Sequence, residues 1–521
     1  MVICKLRAQR RHAQPHRHSV AWYEPMSLET VNAALAARYD AVAYPALPHP
    51  LTHPDRLATV ATFLGTTPPD VAQCRVLEVG CNEGGNLIPM ALALPSARFV
   101  GCDLSPLAIA TGQRTIAELG LTNITLIEEN LASLAPAHGE FDYIIAHGVY
   151  SWVPAHVRDG LFALAGRRLA PNGIIFVSFN ALPGCRVRQA TWDVLHFHVD
   201  RIPDPRARLA AAREVARIIG DGGKALHEAD ETLRAEFRSI AQRTDSLLFH
   251  DDLAELNTPV YFHEFVAHAA RFGLKYLAEA ELHTMSAAGI SAEARAFLST
   301  LDPLAREQYL DFVRLRRFRQ SLLHRSEARF DMTTHAQRVG AMHVSADPSL
   351  QRSAAAGKLA DLARDLDPPH GGGGPVRAML ETLLQSLPAA CSAAELRATV
   401  RASTLARPFE TFLTDAYVAG LVILHVHPPA LAKVAGEQPI ASSLARLQAR
   451  TQEDVTSLLH TRVQLPDANA RRLLTLLDGT HDRPALAASM SGPAFRFDGN
   501  LAGAFVAHAL EQFARLALLV A

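Results

Sequence analysis

Between residues 75 and 180, short apolar runs alternate with segments of helical periodicity. The runs Arg75–Val79, Arg98–Asp103, Ile124–Glu129, Phe141–His147 and Gly173–Asn180 predict strands, because each is short, apolar and bounded by turn-forming residues. Between them, Asn86–Leu94, Pro106–Leu119 and Pro154–Leu169 carry the spacing of amphipathic helices. Ser105 and Pro106 are the cap and first-turn proline that start such a helix. Strand–helix alternation predicts an α/β fold: a doubly wound, mainly parallel Rossmann-like sheet that binds ligands at the carboxyl ends of its strands.

Beyond residue 187 the helical period takes over, in Ala207–Ile219 and Glu231–Arg243. A helix over Phe262–Phe272 and a strand at Leu274–Ala278 follow. This helix–strand unit is expected to complete the sheet, leaving residues 187–258 as a helical insertion that overhangs the ligand mouth. Arg314, Arg316, Arg317, Arg319 and Arg325 share a segment with Phe312, Leu315, Phe318, Leu322 and Leu323. They predict one packed helix with a solvated basic face. Asp367–Pro375 is rich in glycine and proline and predicts a linker. The remainder, 376–521, predicts a mostly helical domain with winged-helix-like modules and a strand near Leu421–Val426. His425 and His427 flank a valine there, and a core role is favoured over metal binding.

At 521 residues, and about 100–200 residues per domain, several domains are expected. The formal net charge of −1 argues against nucleic acid or an anionic membrane as partner. No apolar run reaches the roughly 18 residues of a membrane span. The six cysteines form no CxxC pair, so neither a disulfide framework nor a zinc site is expected, and a cytoplasmic location is. Residues 1–25 carry five Lys/Arg and no acid before Glu24, which predicts a disordered basic tail, with Met26 as an alternative start.

Candidate chemistry gathers at the strand ends. Val76–Asn86 reads VLEVGCNEGGN, a strand running into a glycine turn that lets backbone N–H groups approach a ligand. A dinucleotide fingerprint would want glycines at 80, 82 and 85. An S-adenosylmethionine turn would want an acid followed by alternate glycines, at Glu78, Gly80, position 82 and Gly84. Both fail at Asn82, a residue that tolerates left-handed backbone. Only the second explains Glu78, since a buried carboxylate needs a cationic partner. Asp103 closes the second strand, where an acid takes ribose hydroxyls, with Leu104 after it. Asn130 and Leu131 follow the third strand, at the adenine corner. His147, Tyr150 and Trp152 follow the fourth, where a methyl group would be transferred. Tyr39 and Tyr44 lie in a proline-rich stretch that cannot be a central strand and is expected to act as a lid, with Tyr44 near the cofactor and Thr52 or His53 closing the next helix start.

Arg38–Ala58, VLEVGCNEGGNLIPMA, FDYIIAHGVYSWVP, His250–Leu282, Asp311–Arg325 and Ser443–Arg483 together closely resemble bacterial class I S-adenosylmethionine-dependent methyltransferases that carry a methyltransferase regulatory domain. That family includes rickettsial protein-lysine methyltransferases. The resemblance implies S-adenosyl-L-methionine as cofactor and a protein substrate, and leaves a homodimer open. It implies a methyltransferase domain at 26–186, a regulatory domain at 187–300 with 255–285 completing the sheet, a helical middle segment at 301–366, and the C-terminal domain. This chain has Asn82, Asn130 and Cys185 where the family usually has Gly, Asp and Trp. The cofactor set is then Tyr44, Glu78, Gly80, Asn82, Gly84, Asn86, Asp103, Leu104, Asn130, Leu131 and His147, and the catalytic set His147, Tyr150 and Trp152. A degenerate domain that only senses cofactor, and a methyltransferase acting on small molecules, are the alternatives.

Overall fold

Seven strands form one sheet: β1 (Arg75–Val79), β2 (Arg98–Asp103), β3 (Ile124–Glu128), β4 (Phe141–Ala146), β5 (Leu169–Asn180), β6 (Leu274–Glu279) and β7 (Phe318–Arg325). Their order is β3-β2-β1-β4-β5-β7-β6. The first five are parallel, and β7 runs antiparallel between β5 and β6. The computed structural model describes residue 42 and residues 44–131, 134–223, 227–331, 334–366, 374–399, 407–491 and 499–520. The basic tail, Tyr39, Met26 and most of the expected linker therefore lie outside the described residues.

The central strands are apolar on both faces because helices cover both; Val76, Leu77, Ile144, Ile145, Ile175 and Phe176 are fully buried. One face packs on the helix Ala155–Arg168 and the helix Phe262–Ala270. The other face shares a continuous core with the helix Pro54–Phe63 and with residues 339–424. Helix starts follow local chemistry. Ser105 accepts from the Ala108 N–H at 3.1 Å, and His53 Nδ1 from the Asp55 N–H at 3.2 Å.

The expected unit at 262–278 is present, and β6 lies in the sheet. The single basic helix expected around 311–325 is not. The helix Pro303–Arg314 stops at Leu315, whose φ is 48°, and β7 then begins. The expected helical segment 301–366 thus holds β7, wedged beside β5, as well as β8 (His343–Ala346). Nor is the basic face solvated. Arg319 is 1% exposed and bonded to Glu279 at 2.6 Å, Asp311 at 2.9 Å and Glu307 at 3.2 Å. Arg317 reaches Glu236 at 2.5 Å, and Arg316 reaches Asp311 at 3.2 Å. These arginines are internal ties. Removing Arg319, the fully buried member, would leave the Glu279 and Asp311 carboxylates buried without their closest cation, at a cost of about 3–5 kcal/mol. A strand that buries both Leu322–Leu323 and a neutralised Arg319 has no simple period, and the cluster of apolar and basic residues mimics a helix.

The insertion is a bundle of the helices Cys185–Val199, Pro205–Gly220 and Glu228–Ala241 with its own core, including Leu195, Ala212, Phe237 and Ile240. After it come β9 (Cys391–Ser392) and β10 (Val422–His425), which flank β8 in a second sheet, and the hairpin β11 (Asp454–Thr456)–β12 (Arg462–Gln464). His425 clamps Asp55 at 2.7 Å and contacts Ser345 at 2.8 Å, so it joins the second sheet to the helix Pro54–Phe63. Although burial opposes it, the bond from His425 holds the Asp55 carboxyl below its ordinary range. Gly374 and Pro375, expected as linker, already belong to the helix Gly374–Gln385. Among the described residues, no helix is long and apolar enough to cross a membrane.

Candidate active site

The turn after β1 is left-handed at Gly80 (φ 72°), Asn82 (φ 50°) and Gly84 (φ 75°). It brings the Asn82 N–H to within 2.8 Å of Asp103 Oδ2, at the end of β2. The Ser105 N–H donates to Asp103 Oδ1 at 3.0 Å. The carboxylate is thereby fixed where the two strands end. Asn82 does what a glycine there cannot: its side-chain Nδ2 donates to the Tyr44 carbonyl at 3.0 Å. The proline-rich stretch is thus tied across the turn. A Cβ on Gly85 would lie 2.5 Å from the Ala46 carbonyl carbon, so the strap rests directly on that glycine.

Glu78 lies at 4% exposure inside the cavity behind the turn. Its Oε1 accepts from Asn86 Nδ2 at 2.7 Å, while its Oε2 is buried without a hydrogen-bond partner. Burial pushes this carboxyl up to about 8, and nearby Asp103 adds to the rise. An orphaned buried carboxylate oxygen is costly unless a donor or a cation completes it.

The cavity is lined by Tyr44, Glu78, Gly80, Asn82, Asn86, Asp103, Leu104, Asn130, Leu131, His147 and Trp152. Twelve of the thirteen residues singled out from the sequence are accounted for once Gly84 is added as a turn residue beneath the wall, where a Cβ would meet Leu126 at 2.9 Å. Gly85, one position on, faces the cavity instead. The thirteenth, Tyr150, corrects the sequence reading. Its ring is buried outside the cavity lining, and its hydroxyl pairs with His268 Nδ1 at 2.8 Å. Four aromatic neighbours, Phe162, Phe179, Phe265 and His268, hold it there. The Pro183–Gly184 turn follows β5, whose carboxyl end points toward the ligand mouth. It is absent from the lining because Gly184 is pressed under the Leu315–Arg316 backbone, where a Cβ would meet the Leu315 carbonyl at 2.1 Å.

Among the polar residues of the site that were not singled out, His49, His250 and Asp251 stand out. His49 stacks on His147, with ring centroids 3.8 Å apart at 21°. Burial pushes His49 down to about 4; burial and then His49 itself push His147 down to about 3, so both rings are neutral near pH 7. His250 and Asp251 come from the insertion, on a π-helical turn, Leu248–Asp252. His250 Nε2 bonds the Val42 carbonyl at 2.7 Å, and its ring meets Tyr44 edge-on at 5.4 Å. Burial pushes Asp251 up to about 6, with the neighbouring Asp252 carboxylate adding to it. The insertion does overhang the mouth. The available sequence signal was HDDL itself, two acids after a histidine at the end of a helical run.

A sheet of this order, with an acid, a glycine turn and a second acid at the ends of its first two strands, defines the class I methyltransferase fold. Comparison with known proteins agrees. Residues 76–173 match the family model of a methyltransferase domain, residues 244–325 that of a predicted methyltransferase regulatory domain, and residues 437–494 that of a PKMT C-terminal winged helix domain. Two uncharacterised proteins of Rickettsia prowazekii are 38% identical over 289 residues and 33% identical over 240. The matches span 55% and 46% of this chain, and 52% and 96% of those relatives, so the first relative is matched over only about half its length. PKMT2 from Rickettsia typhi, solved alone and with AdoHcy, superimposes with a TM-score of 0.78 at 25% identity, over 92% of this chain and 100% of that one. The chain belongs to the class I S-adenosylmethionine-dependent methyltransferases that carry a methyltransferase regulatory domain.

Proposed function

We propose that the chain methylates lysine side chains of a protein acceptor, using the cavity at the ends of β1, β2 and β4. The carrying observation is the mouth: a carboxylate, Asp251, the stacked neutral rings of His49 and His147, and Trp152 line one cavity. The likeness to PKMT2 and the PKMT winged-helix match support the same acceptor class. Bound S-adenosylmethionine supplies an electrophilic methyl group on a sulfonium. The residues present fit it: Glu78 offers its free oxygen to the cationic end, Asp103 takes the ribose hydroxyls, and Asn130 and Leu131 meet the adenine.

A lysine arrives protonated, with a reference pKa of about 10.4, and must shed its proton to become a nucleophile. Asp251 attracts the ammonium. With its own pKa near 6, it suits proton acceptance at neutral pH better than His147, whose burial makes it a very weak base. His147 and Trp152 instead form walls that align the amine and exclude water. The test is to incubate the full chain with methyl-labelled S-adenosylmethionine and a bacterial lysate separated into protein and small-molecule fractions. The expected product is labelled Nε-methyl-lysine in hydrolysed protein. Label confined to small molecules, or to another side chain, would overturn the lysine reading.

A further inference from the structure

The hairpin β11–β12 lies in the region that matches a winged-helix model, and it is the wing-like element of that domain. A wing is commonly free to reach a partner. Here Ser457 and His460 of its tip, Ser457–Thr461, are buried, and His460 meets Asn86 beyond the turn after β1. His460 is 5% exposed and left-handed, with φ 58°, a strained state for a residue with a side chain. The turn is braced to hold it: His460 N–H donates to the Ser457 carbonyl at 3.0 Å, Ser457 N–H to the Thr461 carbonyl at 2.9 Å, and Leu458 N–H to the Ala517 carbonyl at 2.9 Å.

What the strain delivers is a side-chain hydrogen bond, His460 Nε2 to Asn86 Oδ1 at 2.7 Å, across 374 residues, beside a ring contact with His53. The direction of that bond follows from the neighbours. Asn86 Oδ1 also receives the His49 backbone N–H at 2.8 Å, which can only donate. The amide oxygen therefore faces His49 and His460, and its NH₂ faces Glu78 Oε1 at 2.7 Å. His460 must donate through Nε2–H. The ring is neutral, since burial together with nearby His53 and His49 holds it well below the ordinary histidine range. Asn86 Nδ2 also donates to Thr52 Oγ1 at 2.9 Å. Without His460, Asn86 loses one of the bonds that stop its amide from flipping, and a flipped amide would set oxygen against the Glu78 carboxyl.

We propose that His460 is a positioning residue for cofactor binding: it locks the Asn86 amide, which in turn aims Glu78, and so makes the wing tip a structural part of the S-adenosylmethionine site. Cofactor affinity and wing docking are then thermodynamically coupled, each strengthening the other by the same factor. His460 is assigned on the premise that this cavity holds the cofactor, and independently of which acceptor is methylated.

Calorimetry of AdoHcy binding to the full chain tests it without any acceptor. His460→Leu should weaken binding by about fivefold or more, the scale of one buried hydrogen bond, whereas His460→Gln, which keeps an N–H donor at similar reach, should recover most of the loss. In a Glu78→Gln background the His460→Leu effect should shrink, because the bond acts through Glu78. Native affinity in a folded His460→Leu variant, equal losses for Leu and Gln, or an undiminished loss in the Glu78→Gln background would each overturn the proposal. Should the leucine variant not fold, hydrogen exchange on the unaltered chain decides: AdoHcy should slow exchange at residues 457–461, and unchanged rates there would refute coupling. Asp103→Ala separates the premise from the proposal. If it binds AdoHcy as tightly as the native chain, the cavity assignment itself has failed.

Discussion

The two walls of the cavity are built differently. The inner wall is the sheet edge, and its polar contacts are short in sequence: Asn82 to Asp103 spans 21 residues and Asn86 to Glu78 spans 8. The outer wall is assembled from two remote pieces, the strap Tyr44–His49 and the π-turn at His250–Asp251, and the wing tip braces the site through the bond from His460 to Asn86. These contacts span 208 residues from His250 to Val42 and 374 from His460 to Asn86. The inner wall forms whenever the sheet forms, because the same strand ends that bury Leu77 and Val79 place Glu78 between them. The outer wall needs separate docking events, each with its own closure entropy. On the proposed function, cofactor chemistry falls to the first wall, and access and acceptor choice to the second.

The largest effect should come from breaking the inner wall. Asp103→Ala removes the acceptor proposed for the ribose and strands the Asn82 and Ser105 N–H groups. Two bonds to a charged acceptor, at about 1.5–3 kcal/mol each, correspond to a hundredfold or greater loss of S-adenosylmethionine affinity. Calorimetry giving unchanged affinity would sink the ribose assignment.

Next is the pH dependence of Glu78. A carboxyl raised to about 8 in the folded chain holds its proton more tightly than in the unfolded chain. Its stabilising contribution is therefore complete below about pH 4.5 and is lost as pH rises through 8, at up to about 1.4 kcal/mol per pH unit. A cationic ligand has the opposite preference, for the ionised carboxylate. Affinity for S-adenosylmethionine should therefore rise with pH up to about 8, by as much as tenfold per unit, and Glu78→Gln should flatten that rise. Comparing the native and variant profiles isolates Glu78 from titration of the ligand's own amine. Parallel profiles would mean that Glu78 does not meet the cation.

A smaller effect sharpens the contrast between walls. Asn82→Gly keeps the left-handed turn and removes only the bond to Tyr44. Stability should hold, and cofactor affinity should fall by about threefold as the strap loosens. Asn82→Ala also loses that bond and adds backbone strain of about 1 kcal/mol at φ 50°, so it should additionally lower the melting temperature. Glycine and alanine variants with identical melting temperatures would remove the strain from this account.

These differences explain what was legible in the sequence. The inner wall could be read because strand, turn and acid lie within about thirty residues and obey local rules. Asn82 looked like a defect of the turn, yet it is the residue that ties the strap. The outer wall was legible only in outline. An insertion overhanging the mouth followed from its position after β5, but only the HDDL run itself marked His250 and Asp251, and it does not say which cavity they face. His49 sits in a proline-rich stretch whose path depends on Gly85, far along the chain. Residues 311–325 misled because Arg319 is buried by charge pairing with Glu279, Asp311 and Glu307, partners that no periodicity reveals. β7 was hidden for the same reason, and with it the fact that the region matched as regulatory supplies two strands of the catalytic sheet.

The smallest expected effect concerns Tyr150, which sequence position places in the reaction and structure places behind it. Its hydroxyl bonds His268 Nδ1 at 2.8 Å, and His268 Nε2 in turn meets Asp159 at 2.8 Å. That chain joins the loop after β4 to the helices Ala155–Arg168 and Phe262–Ala270, so it braces the wall that carries Trp152. Burial pushes the phenol up to about 12, so it stays protonated and contributes one neutral hydrogen bond. Tyr150→Phe should cost about 1 kcal/mol of stability, a drop of a few degrees at most in a chain of this size, and leave cofactor affinity and turnover within about twofold of native. Trp152→Ala, which opens the cavity wall itself, should lower turnover while sparing the Tyr150–His268 bond. A tenfold fall in turnover for Tyr150→Phe with an unchanged melting temperature would bring the hydroxyl back to the acceptor and erase the division between brace and mouth.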